Sequence, residues 1–167
     1  MTPPRPGLCI RGAALTYNLY MMQNKKHEEE RSMYEQQIHS YFDDPARRAQ
    51  LVEAVSRLVR VRSVREEPQP GMPFGPGPAA ALREALDLAG ELGFAVRNYE
   101  NYVGAVDLSG GDTALHILCH LDVVGEGTGW TVTEPYEPKE VDGMLYGRGT
   151  DDDKGPAVAA LLAMQAV

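Results

Sequence analysis

The stretch ILCHLDVVGEGTGW, residues 117–130, decides the fold that we expect for this chain. Its apolar beginning predicts a buried β-strand, and the glycines that follow predict a loop. Because a strand points alternate side chains to the same side, His120 and Asp122 are expected to share one face. The stretch therefore predicts a strand that presents a histidine and a carboxylate where it ends.

A second stretch, GRGTDDDKG at residues 147–155, places three adjacent carboxylates between a glycine-containing turn and a helix. Such a cluster repels itself unless a cation neutralises it. Two purely structural explanations stay open: His120 and Asp122 could pair for structure alone, and the carboxylates could form a solvated acidic loop. The sequence does not match a phosphate-binding loop, a calcium-binding loop or a dinucleotide-binding fingerprint.

Outside these stretches, the pattern predicts helices first and short strands afterwards. Apolar residues recur at helical spacing, and Gly93 is expected to end the third helix. A loop rich in proline and glycine separates the second helix from the third. The predicted helices cover residues 33–41, 45–61 and 78–92 and a last one includes Pro156, and the predicted strands cover 94–97, 102–108 and 114–119, with a further hairpin turn at Asp142 and Gly143.

The composition is that of a soluble globular protein, with 43% hydrophobic and 24% charged residues. A net charge of -8 disfavours nucleic acid and anionic membranes as partners, because both require clustered Lys and Arg, and it favours a metal ion. Cys9 and Cys119 are far apart and predict neither a disulfide framework nor a thiolate zinc site. Because Arg11 and Gly12 interrupt the apolar residues near the start, we predict no signal peptide and a cytoplasmic protein.

The two ends of the chain carry separate expectations. Residues 1–32 lack the periodicity of a packed element, so we expect them to lie outside the fold. They could be upstream sequence, with Met33 as the true start, or a disordered tail or short surface helix. Because the helix that contains Pro156 is apolar on almost every side, we expect residues 33–167 to be a truncated part of a larger domain.

Three motifs together resemble one family of enzymes. They are HLDVV at 120–124, a glycine-rich stretch with Trp130, and DGMLYGRGTDDDKGP at 142–156. Their order and spacing are similar to those of the zinc-dependent exopeptidases that include aminoacylases, succinyl-diaminopimelate desuccinylase and carnosinases. The loop MPFGPGP at 72–78 is similar to the bacterial dipeptidases of the PepV type. The chain departs from the family at Gly125, where proline is usual.

The resemblance implies an α/β fold: the incomplete N-terminal part of a di-zinc aminopeptidase-like catalytic domain, with helices packed on a mixed sheet. It also implies that His120 binds one zinc ion and that Asp122 is the catalytic carboxylate behind this histidine. Asp152 would bridge two zinc ions and precede a cis peptide bond, whereas Asp151 and Asp153 receive no ligand role. The general-base glutamate and the remaining ligands would come from positions after the end of this sequence.

The function implied by the resemblance is hydrolysis of dipeptides or small peptides by water activated between two zinc ions, although cobalt or manganese could fill such a site. We expect the 167-residue chain alone to be inactive, because the general base and the later ligands are missing from it. The alternative is a non-catalytic remnant or a metal-binding module from a broken or incomplete gene. No feature of the sequence predicts the oligomeric state.

Overall fold

A computed structural model of the protein describes residues 9–112 and 115–166. The chain divides into two compact units, one up to Asp44 and the other from Pro45 onward. Within the two described ranges, no helix combines the length and the apolar composition that crossing a membrane requires.

The first unit contains a long helix, α1 (Cys9–Phe42). Its side chains from residue 25 onward are almost all exposed. Oppositely charged side chains four residues apart stabilise an exposed helix of this kind. Such pairs are Lys25–Glu29, Lys26–Glu30 and Arg31–Glu35. The helix therefore begins well before residue 33, where we predicted it, and the placement of residues 1–32 outside the fold stays a prediction.

In the described residues, the second unit contains three helices and two β-hairpins. The elements are α2 (Pro45–Arg60), α3 (Pro76–Glu91), β1 (Ala95–Tyr99), β2 (Val103–Asp107), β3 (Lys139–Val141), β4 (Met144–Tyr146) and α4 (Lys154–Gln165). This mixture of helices and strands confirms the predicted α/β class.

Proline and glycine fix the ends of the helices much as predicted. Pro76 opens α3, two residues earlier than expected, because its φ suits the first helical turn and its missing N–H costs nothing there. Gly93 follows the end of α3 with a φ of +95°, which only glycine adopts without strain, and this confirms its predicted role. Pro156 lies in the first turn of α4, also as predicted.

The strands form two antiparallel pairs in the described part of the chain. β1 pairs with β2 from Ala95 opposite Asp107 to Tyr99 opposite Val103. β3 and β4 are joined by the predicted turn, in which Asp142 and Gly143 both have positive φ, 50° and 78°. Parallel pairing, which a mixed sheet requires, is present as a bridge between Val64 and Val123.

The core of the second unit lies where α2 contacts α3 and α4. Each buried Leu or Val side chain there contributes about 1.5–3 kcal/mol relative to an exposed one. On the outer side, Arg57 of α2 binds both Glu84 and Glu91 of α3, at 2.8 Å and 2.5 Å. The buried core residues are Ala54, Val55, Leu58, Val59, Leu88, Val158 and Leu162.

Residues 115–119 do not form the buried strand that we predicted over residues 114–119. They form no β-ladder, and Leu118 is 94% exposed. The prediction was wrong because an apolar run becomes buried only where other elements cover it, and in the described residues none covers this run on both faces. Residue 114, also predicted to be in the strand, lies outside the described residues.

Lys154, the first residue of α4, is completely buried. Its Nζ atom donates hydrogen bonds to the carbonyl oxygens of Leu58 at 2.8 Å and Val61 at 2.7 Å, where α2 ends. The last carbonyl oxygens of a helix lack partners within it and carry the negative end of its dipole, so they stabilise an ammonium group. Lys154 therefore joins the end of α2 to the start of α4.

We predict that Lys154→Met changes the pH dependence of folding stability. Burial lowers the pKa of Lys154 from 10.5 to about 8 in the folded protein. Between these pH values the unfolded chain binds more protons than the folded one, so the free energy of unfolding that Lys154 contributes rises with pH. Urea unfolding of both proteins across this window is the measurement. A difference between the two that falls or stays constant as the pH rises would contradict the prediction.

Candidate active site

Ser63, which is completely buried, holds the backbone on which the site is built. Its Oγ atom donates to the carbonyl oxygen of Leu121 at 2.6 Å, and its own carbonyl oxygen accepts from the N–H of Val123 at 3.2 Å. A buried hydroxyl needs such a partner, because leaving it unsatisfied costs about 1–3 kcal/mol. These two bonds fix the segment from which His120 and Asp122 project.

His120 and Asp122 contact each other, in agreement with the shared face that strand alternation predicted. Nδ1 of His120 lies 3.1 Å from the carbonyl oxygen of Asp122 and 3.5 Å from its Oδ1 atom. A hydrogen bond to one ring nitrogen orients the imidazole. The other nitrogen, Nε2, is left for a different partner.

The acidic run forms a tight loop that leads into α4. The carbonyl oxygen of Gly149, whose φ is +87°, accepts the N–H of Lys154 at 3.1 Å and that of Gly155 at 3.4 Å. Only glycine fits at position 155, because a Cβ atom there would overlap the carbonyl oxygen of Thr150. The loop therefore turns tightly into α4, with Asp151 and Asp152 exposed and Asp153 half-buried.

Two carboxylates of this loop contact His120. Oδ1 of Asp152 lies 2.9 Å from Nε2 of His120, and Oδ2 of Asp153 accepts the backbone N–H of His120 at 3.1 Å. The Asp152–Asp153 peptide bond is cis, as the resemblance implied. Asp151 forms no ion pair with this histidine. The fold thus brings His120, Asp122 and Asp152 together, and their roles as ligands or catalytic groups stay predictions.

The surroundings of His120 favour its protonated form. Partial burial lowers the pKa of His120, but the Asp122 carbonyl oxygen, the Asp122 carboxylate and the Asp152 carboxylate raise it, and the net result is a pKa above the ordinary 6.5. Protonated Nε2 then donates to Asp152. A metal ion that binds Nε2 has to displace this proton.

The donor atoms that converge here are of the kinds that zinc binds, an imidazole nitrogen and a carboxylate oxygen. The side chains of His120 and Asp152 are 52% and 84% exposed, so an ion can reach both. In the ranges that the structure describes, however, no group of three or more His, Cys, Asp or Glu side chains is arranged to hold a metal ion. The pair fits two of the four positions of a tetrahedral zinc site.

The glycine-rich loop after Asp122 is organised by Glu126. Its carbonyl oxygen accepts hydrogen bonds from Nε1 of Trp130 at 2.7 Å and from Arg148 at 2.9 Å, and the guanidinium of Arg148 lies 5.3 Å from the centre of the Trp130 ring. Its carboxylate binds Arg62 at 2.6 Å and the hydroxyl of Tyr136 at 3.2 Å. Two of the motifs behind the resemblance therefore contact each other.

The sequence did not lead us to predict the bond of Asp153 to His120 or the bonds of Lys154 to the end of α2. A cation at the first position of a helix is disfavoured by the helix dipole, so a lysine there signals a compensating partner elsewhere. For Asp153 the sequence carries no such signal. An aspartate just before a helix is expected to bond the N–H groups of that helix, and this one bonds His120 instead.

Residues 116–167 match the family model described as Peptidase family M20/M25/M40. The matched residues include both HLDVV and DDKGP, which carry His120 and Asp152. Residues 116–167 are therefore similar to that family, and the family resemblance drawn from the sequence is confirmed.

Similar proteins carry the name dipeptidase. The chain is 38% identical over 119 residues to "Putative dipeptidase YtjP" of Bacillus subtilis, which covers 70% of this chain and 26% of that protein. It is 36% identical over 118 residues to a Staphylococcus haemolyticus protein of the same descriptive name, covering 70% and 25%. The crystal structure of human carnosine dipeptidase 1 matches with a TM-score of 0.58 and 28% identity, over 78% of this chain and 30% of that one. The chain thus spans about a quarter of the length of the curated relatives it matches.

We predict that Asp152→Ala lowers the pKa of His120, because the variant removes a carboxylate that lies 2.9 Å from Nε2 and raises this pKa. An NMR pH titration of the imidazole signals measures the shift. Asp151→Ala is the matched control, since it removes the same charge one residue away without an ion pair to His120. Equal shifts in both variants would show that the general charge of the loop, rather than the contact with Asp152, sets the pKa.

Proposed function

We propose that this chain supplies the N-terminal part of the catalytic domain of a dipeptidase, which hydrolyses dipeptides or small peptides with water activated by two zinc ions. The observation that carries the proposal is the 2.9 Å approach of Oδ1 of Asp152 to Nε2 of His120, inside the residues that match the peptidase family. The names of the relatives support the substrate class.

In this proposal, His120 would bind one zinc ion through Nε2, Asp152 would be a ligand shared by both ions, and Asp122 would hold the ring of His120. The contacts of Nδ1 with Asp122 support it, because a metal-binding histidine commonly has its second nitrogen bonded to a carboxylate or a carbonyl oxygen. When bound, two zinc ions lower the pKa of water and polarise the peptide carbonyl group. Cobalt or manganese could take their place.

The position of the acidic loop also supports a cation site. Three carboxylates repel one another, and the positive end of the α4 dipole, which lies directly after them, offsets part of that repulsion. Asp153 is further held by the His120 N–H. Asp152, mostly exposed, keeps an oxygen available for a cation.

The same proposal includes the domain limits, the partners and the location. We place the catalytic part in residues 33–167 and residues 1–32 outside it. The net charge of -8 supports peptide substrates and metal ions rather than nucleic acid or membrane surfaces as partners. The proposal also keeps the cytoplasmic location that we expect from the sequence.

We expect the purified 167-residue chain to hydrolyse no dipeptide, even with zinc, cobalt or manganese present. The reason is chemical: two donors cannot hold a catalytic pair of metal ions, and in the described residues a third ligand is missing from the group. A dipeptide turnover assay measures this. Metal-dependent turnover by this chain that His120→Ala abolishes would contradict our expectation that its residues form an incomplete catalytic site.

The positive test joins residues 33–167 to the part of the Bacillus subtilis relative that follows its matched region. We expect the chimera to hydrolyse dipeptides and Asp122→Ala to lower its kcat/KM by about 10–100-fold, the usual cost of losing the partner of a metal-binding histidine. Asp151→Ala is the control, and its effect should stay within about threefold.

Two results would contradict the proposed function. Equal losses of kcat/KM in Asp122→Ala and Asp151→Ala would show that the role given to Asp122 is wrong. A chimera that folds, by circular dichroism, but neither binds zinc nor hydrolyses dipeptides would favour the alternative, a non-catalytic remnant.

A further inference from the structure

We propose that Asp153 is a positioning residue, which holds the backbone of His120 where the imidazole can bind metal. The inference rests on the proposed function, because it takes His120 to be a ligand. Asp153 itself touches neither ring nitrogen of His120, so its effect is exerted through the backbone of that residue.

The first support is an unusual choice of hydrogen-bond partner. Asp153 occupies the N-cap position of α4, where an aspartate normally accepts N–H groups of its own helix. Its side chain makes no such bond. Instead, Oδ2 accepts the backbone N–H of His120 at 3.1 Å. The carboxylate therefore bonds the backbone of the segment that carries the histidine and not the helix that it precedes.

The second support is the firm attachment of Asp153. Its carbonyl oxygen accepts the N–H of Ala157 at 2.9 Å, the first turn of α4. The next residue, Lys154, is anchored in the interior by its bonds to Leu58 and Val61. A carboxylate on a backbone that is held at both of these points can fix the group that it binds.

The third support is that no β-ladder holds the described residues just before His120. Residues 115–119 form no β-ladder in the described part of the chain, whereas Leu121 and Val123 on the other side are held by Ser63. Without Asp153, His120 would lie at the loose end of the segment. The bond from Asp153 supplies the restraint that a neighbouring strand would otherwise give.

The test compares zinc binding by the wild-type chain with that by Asp153→Ala, Asp153→Asn and Asp151→Ala. Zinc ions alone are titrated into the ¹⁵N-labelled protein, and the imidazole nitrogens of His120 are followed by NMR. Asp153→Ala should weaken zinc binding at His120 by about 10–100-fold, and Asp153→Asn, which keeps an acceptor oxygen but loses the charge, should stay within about threefold of the wild type. Asp151→Ala, which removes a charge from the same loop and serves as the control, should also bind zinc within about threefold of the wild type.

A second measurement needs no metal. Amide hydrogen exchange at His120 should become faster in Asp153→Ala and stay close to wild type in Asp153→Asn, because only the former lacks an acceptor for this N–H. If the alanine variant does not fold, Asp153→Glu takes its place, since it keeps the charge but displaces the oxygen, and it too should weaken zinc binding.

The possible failures are distinguishable. A wild-type chain that responds to zinc at His120, with Asp153→Ala responding equally well, would overturn this inference and leave the ligand assignment standing. Equal weakening by Asp153→Ala and Asp153→Asn would overturn it too, because charge alone would then explain the effect. No zinc response at His120 in the wild-type chain would overturn the ligand assignment, and the inference with it.

Discussion

The ammonium group of Lys154, buried against the last carbonyl oxygens of α2, is the contact on which the candidate site depends. Hydrogen bonds to charged groups contribute about 1.5–3 kcal/mol each, and a buried ammonium without them would be strongly unfavourable. The two bonds to Leu58 and Val61 therefore fix where α4 begins. Asp152 and Asp153 immediately precede Lys154, so their positions are set by the same anchor.

The end of α2 and the residues that follow it support both halves of the site. Leu58 and Val61 hold the acidic loop through Lys154, and Ser63, two residues further on, holds the segment that carries His120 through Leu121. His120 and Asp152 are far apart in the sequence, but both are held by residues at or just after the end of α2. These bonds, together with the bond from Asp153, support the 2.9 Å approach of Asp152 to His120.

Features that depend on nearby residues could be predicted from the sequence. The Asp142-Gly143 turn and the end of α3 at Gly93 follow from residues that tolerate a positive φ, and both are present. The contact between His120 and Asp122 agrees with the shared face expected from side-chain alternation, although these two residues form no β-ladder. The family resemblance added Asp152, which no local pattern separates from its two acidic neighbours.

Features that depend on distant residues could not be predicted. The apolar run before His120 has the composition of a buried strand, but its burial requires covering elements, and Leu118 is almost fully exposed. The part of α1 before residue 33 includes charged pairs such as Lys25–Glu29, which a search for an apolar stripe does not detect. The interior position of Lys154 depends on α2, which lies more than ninety residues earlier in the sequence.

The most direct test of the account is a crystal structure of the chain soaked with zinc, with anomalous scattering recorded at the zinc absorption edge. The account predicts an anomalous peak about 2.0–2.2 Å from both Nε2 of His120 and Oδ1 of Asp152. Lys154 should remain bonded to Leu58 and Val61 in the same crystals. Zinc bound at Asp151 instead, or no peak while His120 stays paired with Asp152, would contradict it.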